Sequence, residues 1–157
     1  EISEPSDLAF ARRLLREGPS ASDLEGLEGR TFPSLLWPLR GGEASRRRGQ
    51  RLEIRGSAGD AIRAASDGRV IYVGEGLRGR GVAIVLLHPN GWITTYRGPI
   101  EPSVDAGAEV LRGHWLGRLT ELARGPSLRF EMREGSRPRD PSPLLVQVPE
   151  ALRRRLR

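Results

Sequence analysis

Any chemistry in this chain must come from a short list of side chains. There are two histidines, His88 and His114, no cysteine, and 26 basic residues, every one of them arginine. The missing cysteine excludes thiol nucleophiles and cysteine-held zinc. The missing lysine excludes Schiff-base catalysis, lipoyl or biotinyl attachment and a P-loop phosphate grip, because each needs an ε-amine. A hydrolytic zinc centre commonly takes three protein ligands, often histidines with a carboxylate, and these two histidines fall in different segments with no paired spacing. His88 precedes a Pro89-Asn90-Gly91 turn and His114 sits beside Trp115 in a glycine-bounded turn, so structural roles are expected for both. No serine lies in a nucleophile-elbow pattern. Asp60 and Asp67 occupy turn positions, where aspartate caps backbone N–H groups rather than acting as half of an acid-base pair. The glycine-rich run Gly74-Glu75-Gly76 to Gly79-Arg80-Gly81 is followed by no helix and makes a poor phosphate cradle. What remains is arginine, planar and bidentate, suited to carboxylates, phosphates and aromatic faces. The net charge of +6 fits an acidic protein, an anionic wall polymer or nucleic acid, the last on charge alone.

The elements that must position these groups divide the chain in three. With 157 residues, 37% of them hydrophobic, one core is expected without disulfide or metal support. Residues 1–30 are expected to be a helical appendage. Ser6 is the candidate N-cap, and Leu8, Ala11, Leu14 and Leu15 recur at helical spacing up to Glu17-Gly18-Pro19. A second short helix is expected over Ser22–Leu27, capped within Ser20–Asp23. Residues 31–148 carry short apolar or alternating runs punctuated by glycine, the pattern of a mainly β domain. Strands are predicted near Leu52–Arg55, Ala61–Ala64, Gly68–Val73, Gly81–Leu87, Trp92–Tyr96, Glu109–Leu111 and Ser127–Arg133. Turns are expected at Ser66-Asp67-Gly68 and at Asn90-Gly91, and the apolar strand before Asn90 should be buried on both faces. Residues 149–157 are predicted to be a basic terminal helix begun by Pro149, with Arg153, Arg154, Arg155 and Arg157 on a solvated face. No apolar run is long enough to span a membrane.

The order of these β motifs resembles the LytM (lysostaphin-like) peptidase domain. The resemblance rests on Gly59-Asp60-Ala61-Ile62-Arg63-Ala64-Ala65-Ser66-Asp67-Gly68-Arg69-Val70, then Gly81–Leu87, Gly91–Tyr96, Val104–Gly113 with Leu116-Gly117, Gly125–Arg133, and Asp140-Pro141 at the close. It implies a LytM-type antiparallel β-sheet domain with short N- and C-terminal helices. In active members two histidines and an aspartate hold zinc and further histidines assist the attacking water. The resemblance puts the first ligand position on Gly49, the aspartate position on Glu53, the mid-domain histidine near Gly98 and the late histidine pair on Ser127 and Arg129. Every histidine is thus replaced, and neither a metal nor any other cofactor is expected. One carboxylate cannot hold zinc alone, and an arginine at a ligand position repels a divalent cation.

Among degenerate LytM domains the run Arg124–Arg133 is most similar to the EnvC-like activators of peptidoglycan amidases. That similarity implies a periplasmic or cell-envelope protein whose groove captures the regulatory helix of an autoinhibited zinc amidase, shifting the amidase to its open form. Groove residues carried over are Gln50, Glu53, Arg80, Tyr96, Arg97, Ser127, Arg129 and Arg133. Arg129 and Arg133 share a strand face and could act as a two-pronged carboxylate clamp. The helical arm over residues 7–16 could occlude the groove, in which case deleting residues 1–30 should strengthen amidase binding. Two other functions compete: a noncatalytic module that binds peptidoglycan through its stem-peptide carboxylates, and a zinc endopeptidase with an unorthodox site.

Overall fold

Alternation along the strands builds the architecture. In the computed structural model, which describes residues 5–152, two helices precede a β domain. They are α1 (Pro5–Glu17) and α2 (Ala21–Leu24). Thirteen strands follow among the described residues: β1 (Leu35–Leu36), β2 (Ala44–Arg48), β3 (Arg51–Arg55), β4 (Ala61–Arg63), β5 (Gly68–Gly74), β6 (Val82–Leu87), β7 (Trp92–Gly98), β8 (Ile100–Pro102), β9 (Glu109–Val110), β10 (Trp115–Leu119), β11 (Ser127–Glu134), β12 (Arg137–Arg139) and β13 (Leu145–Val146). The main sheet runs β2-β3-β11-β7-β6-β5-β9, with β12 also paired to β11. A second sheet is β4-β10-β8. Every pairing is antiparallel except the short parallel pair β1-β13.

The seven predicted strands are present, with ends differing by a residue or two. The chain also forms strands that the sequence pattern hides. β2 reads Ala-Ser-Arg-Arg-Arg and carries no apolar alternation, because it is an edge strand paired on one side only to β3 through a two-residue turn at Gly49-Gln50. Gly49 opens that turn at φ 62°, a conformation glycine adopts without a Cβ clash.

β6 is buried on both faces as expected, and its odd and even residues enter different cores. Ile84 and Leu86 join Trp37, Ile54, Tyr96, Leu128, Phe130 and Met132 in the core between the sheets. Ala83, Val85 and Leu87 face the other way and meet Ala11 and Leu14 of α1, both fully buried, with Ile71, Tyr72 and Ile93. α1 therefore completes a second core on the back of the main sheet and is not a free linker. Leu24 and Leu27 pack against the same cluster. The short helix after α1 is held by a capping box, Ser20 receiving the Asp23 N–H while the Asp23 carboxylate accepts from the Ser20 N–H.

Three local expectations change. Ser6 lies inside α1, because the helix already includes Pro5, a residue suited to a first turn. The second helix covers Ala21–Leu24 and stops before Leu27. At the other end a 3₁₀ turn over Glu150–Leu152 stands where the terminal helix was predicted to begin, and Arg153, Arg154, Arg155 and Arg157 lie outside the described residues.

Candidate binding cleft on the main sheet

β3, β11 and β7 lie side by side, and their even-numbered residues Leu52, Ile54, Leu128, Phe130 and Met132 point into the core. Period 2 then sends Glu53, Arg129, Glu131, Arg133, Thr95 and Arg97 to the opposite face. Register sets them in rows: Glu53 stands opposite Arg129, which on its other side stands opposite Arg97.

Glu53 is the hub. Its carboxylate lies 3.5 Å from Arg129, 3.4 Å from Arg46 and 3.5 Å from Arg48, so three guanidiniums surround one carboxylate. Arg133 is occupied differently: its Nη1 donates to the carbonyl of Leu15, near the end of α1, and to that of Ser136, at 3.0 Å each. A guanidinium at a helix C-terminus satisfies carbonyls that lack an intrahelical partner. The expected Arg129–Arg133 clamp is thus divided: the two side chains share a face, but each already holds its own acceptor.

Two connected clefts open on this face. The smaller, about 520 Å³, lies among Glu53, Arg80, Arg97, Gly98, Leu122 and Arg129. The larger, about 830 Å³, is walled by Arg12, Leu15 and Arg16 of α1, with Arg51, Arg78 and Glu131 also lining it. Arg97 and Arg129 line both. α1 therefore forms a side of the larger cleft. Arg12 fixes its position further by donating to the Gly76 carbonyl at 3.1 Å.

Of the predicted groove residues, Glu53, Arg80, Arg97, Ser127 and Arg129 come together at the smaller cleft, and Arg133 lies in the larger. Gln50 stays in the exposed β2–β3 turn, beside a shallow depression shared with Arg51 and Arg133. Tyr96 is a correction. Its ring is fully buried on the core side, 5.3 Å from the Phe130 ring and tilted to it. Its hydroxyl accepts the Ala65 N–H at 2.9 Å and bonds Thr94 Oγ1 at 2.9 Å. Thr94 in turn bonds His88 Nε2 at 2.7 Å, and His88 Nδ1 meets the Asp67 carbonyl at 2.7 Å. This buried chain of polar groups ties β7 to the Ser66-Asp67 turn. Burial pushes the His88 pKa down to about 4, against a smaller opposing pull from the Asp67 carbonyl and charge. The Asp67 carboxylate caps the backbone as expected, accepting the N–H groups of Arg30 at 2.8 Å and Arg112 at 2.7 Å.

Of the positions that the resemblance puts at metal ligands, Glu53, Gly98, Ser127 and Arg129 line the smaller cleft and Gly49 does not. Gly49 opens the turn at the tip of the β2–β3 hairpin, whereas Glu53 lies in the middle of β3. At Gly98 a Cβ would stand 2.5 Å from the Ser127 carbonyl oxygen, which leaves no space for a histidine. Among the described residues, no group of three or more His, Cys, Asp or Glu side chains is close enough to share a metal ion.

Sequence reasoning missed Arg12, Leu15 and Arg16, which reach the cleft from far away in the chain. It also missed Arg51, Thr95 and Glu131, which the period-2 rule would have placed on the face of Glu53 and Arg129.

Comparison with known proteins agrees with this geometry. The pattern of Peptidase family M23 matches residues 47–141. The cell division protein DipM of Caulobacter vibrioides is 32% identical over 124 residues, 69% of this chain and 20% of DipM. The murein hydrolase activator NlpD of Escherichia coli is 34% identical over 83 residues, 52% of this chain and 22% of NlpD. The chain thus spans about a fifth of the length of these curated relatives. Among solved structures, a Pseudomonas aeruginosa protein assigned to peptidase M23 superposes with a TM-score of 0.67 at 24% identity, covering 87% of this chain and 58% of that one. The lysostaphin catalytic domain of Staphylococcus simulans superposes at 0.54 and 21% identity, covering 79% of this chain and 96% of that one. Motif order, sheet topology and the matched residues lead to one assignment: the chain belongs to peptidase family M23, with the LytM, or lysostaphin-like, fold.

Proposed function

We propose that this chain is a noncatalytic LytM-domain regulator of the cell envelope, which binds and activates a peptidoglycan (N-acetylmuramoyl-L-alanine) amidase during cell separation and wall remodelling. The observation that carries the reading is the Glu53–Arg129 ion pair, set inside a ring of further arginines. These two side chains stand where the LytM resemblance puts zinc ligands, and each neutralises the other. The donor set does not fit zinc: one carboxylate is engaged by three guanidiniums, and the only two histidines are His88, buried in the core, and His114, in an exposed turn. What the cleft offers is a concave arginine-rich surface, suited to grasping a partner.

The names of the relatives point the same way, since one is a murein hydrolase activator and another a cell division protein. Others are named as outer membrane lipoproteins, which supports a periplasmic or envelope location. No described helix is long and apolar enough to cross a membrane. The partner is a zinc amidase whose regulatory helix is captured in the cleft, so that activation is a population shift toward the open enzyme.

The test is dye release from labelled peptidoglycan. The purified chain with a zinc amidase should release more dye than the amidase alone, and the chain by itself should release none. Dye release by the chain alone, abolished by a chelator, would overturn the reading. Retention on purified sacculi without stimulation of any amidase would replace it with direct peptidoglycan binding.

A further inference from the structure

Arg97, which lines both clefts, has one guanidinium nitrogen without a hydrogen-bond acceptor, and Glu131 acts on its charge only through space. Arg97 is 8% exposed, and its buried Nη1 has no hydrogen-bond partner. On the neighbouring strand it faces a like charge, Arg129, whose own carboxylate contact is with Glu53. The Gly74–Gly81 loop lies over it, so close that a Cβ at Gly79 would stand 2.8 Å from Nη1. A buried charged donor without an acceptor is costly, and an incoming carboxylate oxygen removes that cost. Around this group, the Arg51 and Arg78 side chains are exposed and make no hydrogen bond or ion pair among the described residues. Arg12 adds charge from the α1 wall, where Arg16 is paired with Glu17 at 2.9 Å, and Glu131 is the single acidic residue in the lining.

We infer that this α1-walled cleft is a carboxylate-receiving site, occupied by an acidic peptide segment of the partner protein. One carboxylate engages the Arg97 guanidinium, and others meet Arg51 and Arg78. The identity of the occupant rests on the binding function proposed above. The lining supports a peptide over a glycan. Leu15 and Leu77 offer aliphatic surface for side chains, and no tryptophan, tyrosine or phenylalanine is present to stack on a sugar ring.

The probe is a fluorescein-labelled alternating Glu-Ala peptide, with its Gln-Ala counterpart as control, titrated into the full chain and followed by anisotropy. The Glu-Ala peptide should bind at least about tenfold more tightly than the control. Arg97→Gln should weaken that binding by about tenfold or more. The double variant Arg51→Gln/Arg78→Gln, confined to exposed side chains, should do the same with an unchanged circular dichroism spectrum. Equal binding of the two peptides, full binding by the double variant, or a preference for soluble muropeptides with free carboxylates would each overturn the inference. Amidase stimulation on the same samples separates the two proposals. Stimulation without Glu-Ala binding sinks the acidic-peptide site alone, whereas Glu-Ala binding without stimulation leaves the site standing and sinks the amidase.

Discussion

Glu53 and Arg129 illustrate how a register pair on one sheet face can satisfy itself. A carboxylate opposite an imidazole can share a cation, while a carboxylate opposite a guanidinium is already satisfied. The pair is part-exposed and its N···O distance is 3.5 Å, so it contributes at most about 1 kcal/mol to folding. Arg129→Ala should therefore leave the urea midpoint almost unchanged while lowering amidase stimulation several-fold; a large loss of stability would make Arg129 a structural residue. His88 carries a different consequence. Its folded pKa of about 4 lies below the ordinary 6.5, so the unfolded chain takes up a proton that the folded chain refuses. That contribution is whole above about pH 6.5 and is lost as pH falls toward 4, a span worth roughly 3 kcal/mol. Urea denaturation at about pH 7.5 and about pH 4.5 should show the acid sample less stable, and equal midpoints would contradict a neutral buried His88.

Among the elements, α1 departs furthest from expectation. Its apolar stripe was legible in Leu8, Ala11, Leu14 and Leu15, but its target was not, because the receiving surface is made of residues from three strands and a loop distant in sequence. Leu14→Ala should cost about 2–5 kcal/mol, measured by chemical denaturation. Deleting residues 1–30 would uncover Ile71, Val85, Leu87 and Ile93 on the back of the sheet. The expected result is a lower melting temperature and aggregation, rather than the tighter amidase binding that a purely occluding arm would give. Strands with alternating or wholly apolar runs, such as β6, β7 and β11, were readable because burial imposes period 2 on them. β2 was not, since an edge strand with one solvated face tolerates Arg46-Arg47-Arg48. The same limit explains Tyr96. Alternation along β7 says that Thr94 and Tyr96 share a face and Thr95 and Arg97 the other, yet both sets contain threonine and a long side chain. The packing of Thr94 against His88 and of Tyr96 against Phe130 settles the parity.

For the molecule as a whole, the family and the sheet were legible in five ordered motifs. The division of the face into two clefts was not, because it depends on where a distant helix docks. The charge of +6, carried by arginine alone, has a measurable effect at this scale. Attraction between an arginine-lined cleft and an acidic partner is screened within about 8 Å at physiological ionic strength. Raising salt should slow association with the amidase more than it speeds dissociation, as surface plasmon resonance would record; salt-independent kinetics would assign the contact to apolar surface.

Arg133, gripping the Leu15 carbonyl, joins segments 118 residues apart, so the larger cleft exists only while the N-terminal segment is seated. Whatever fills that space must then, by thermodynamic reciprocity, hold the segment in place. Amide protons of residues 8–17 should exchange with deuterated solvent more slowly once the occupant arrives. The first turns of the chain would in that case serve as a built-in gauge of occupancy.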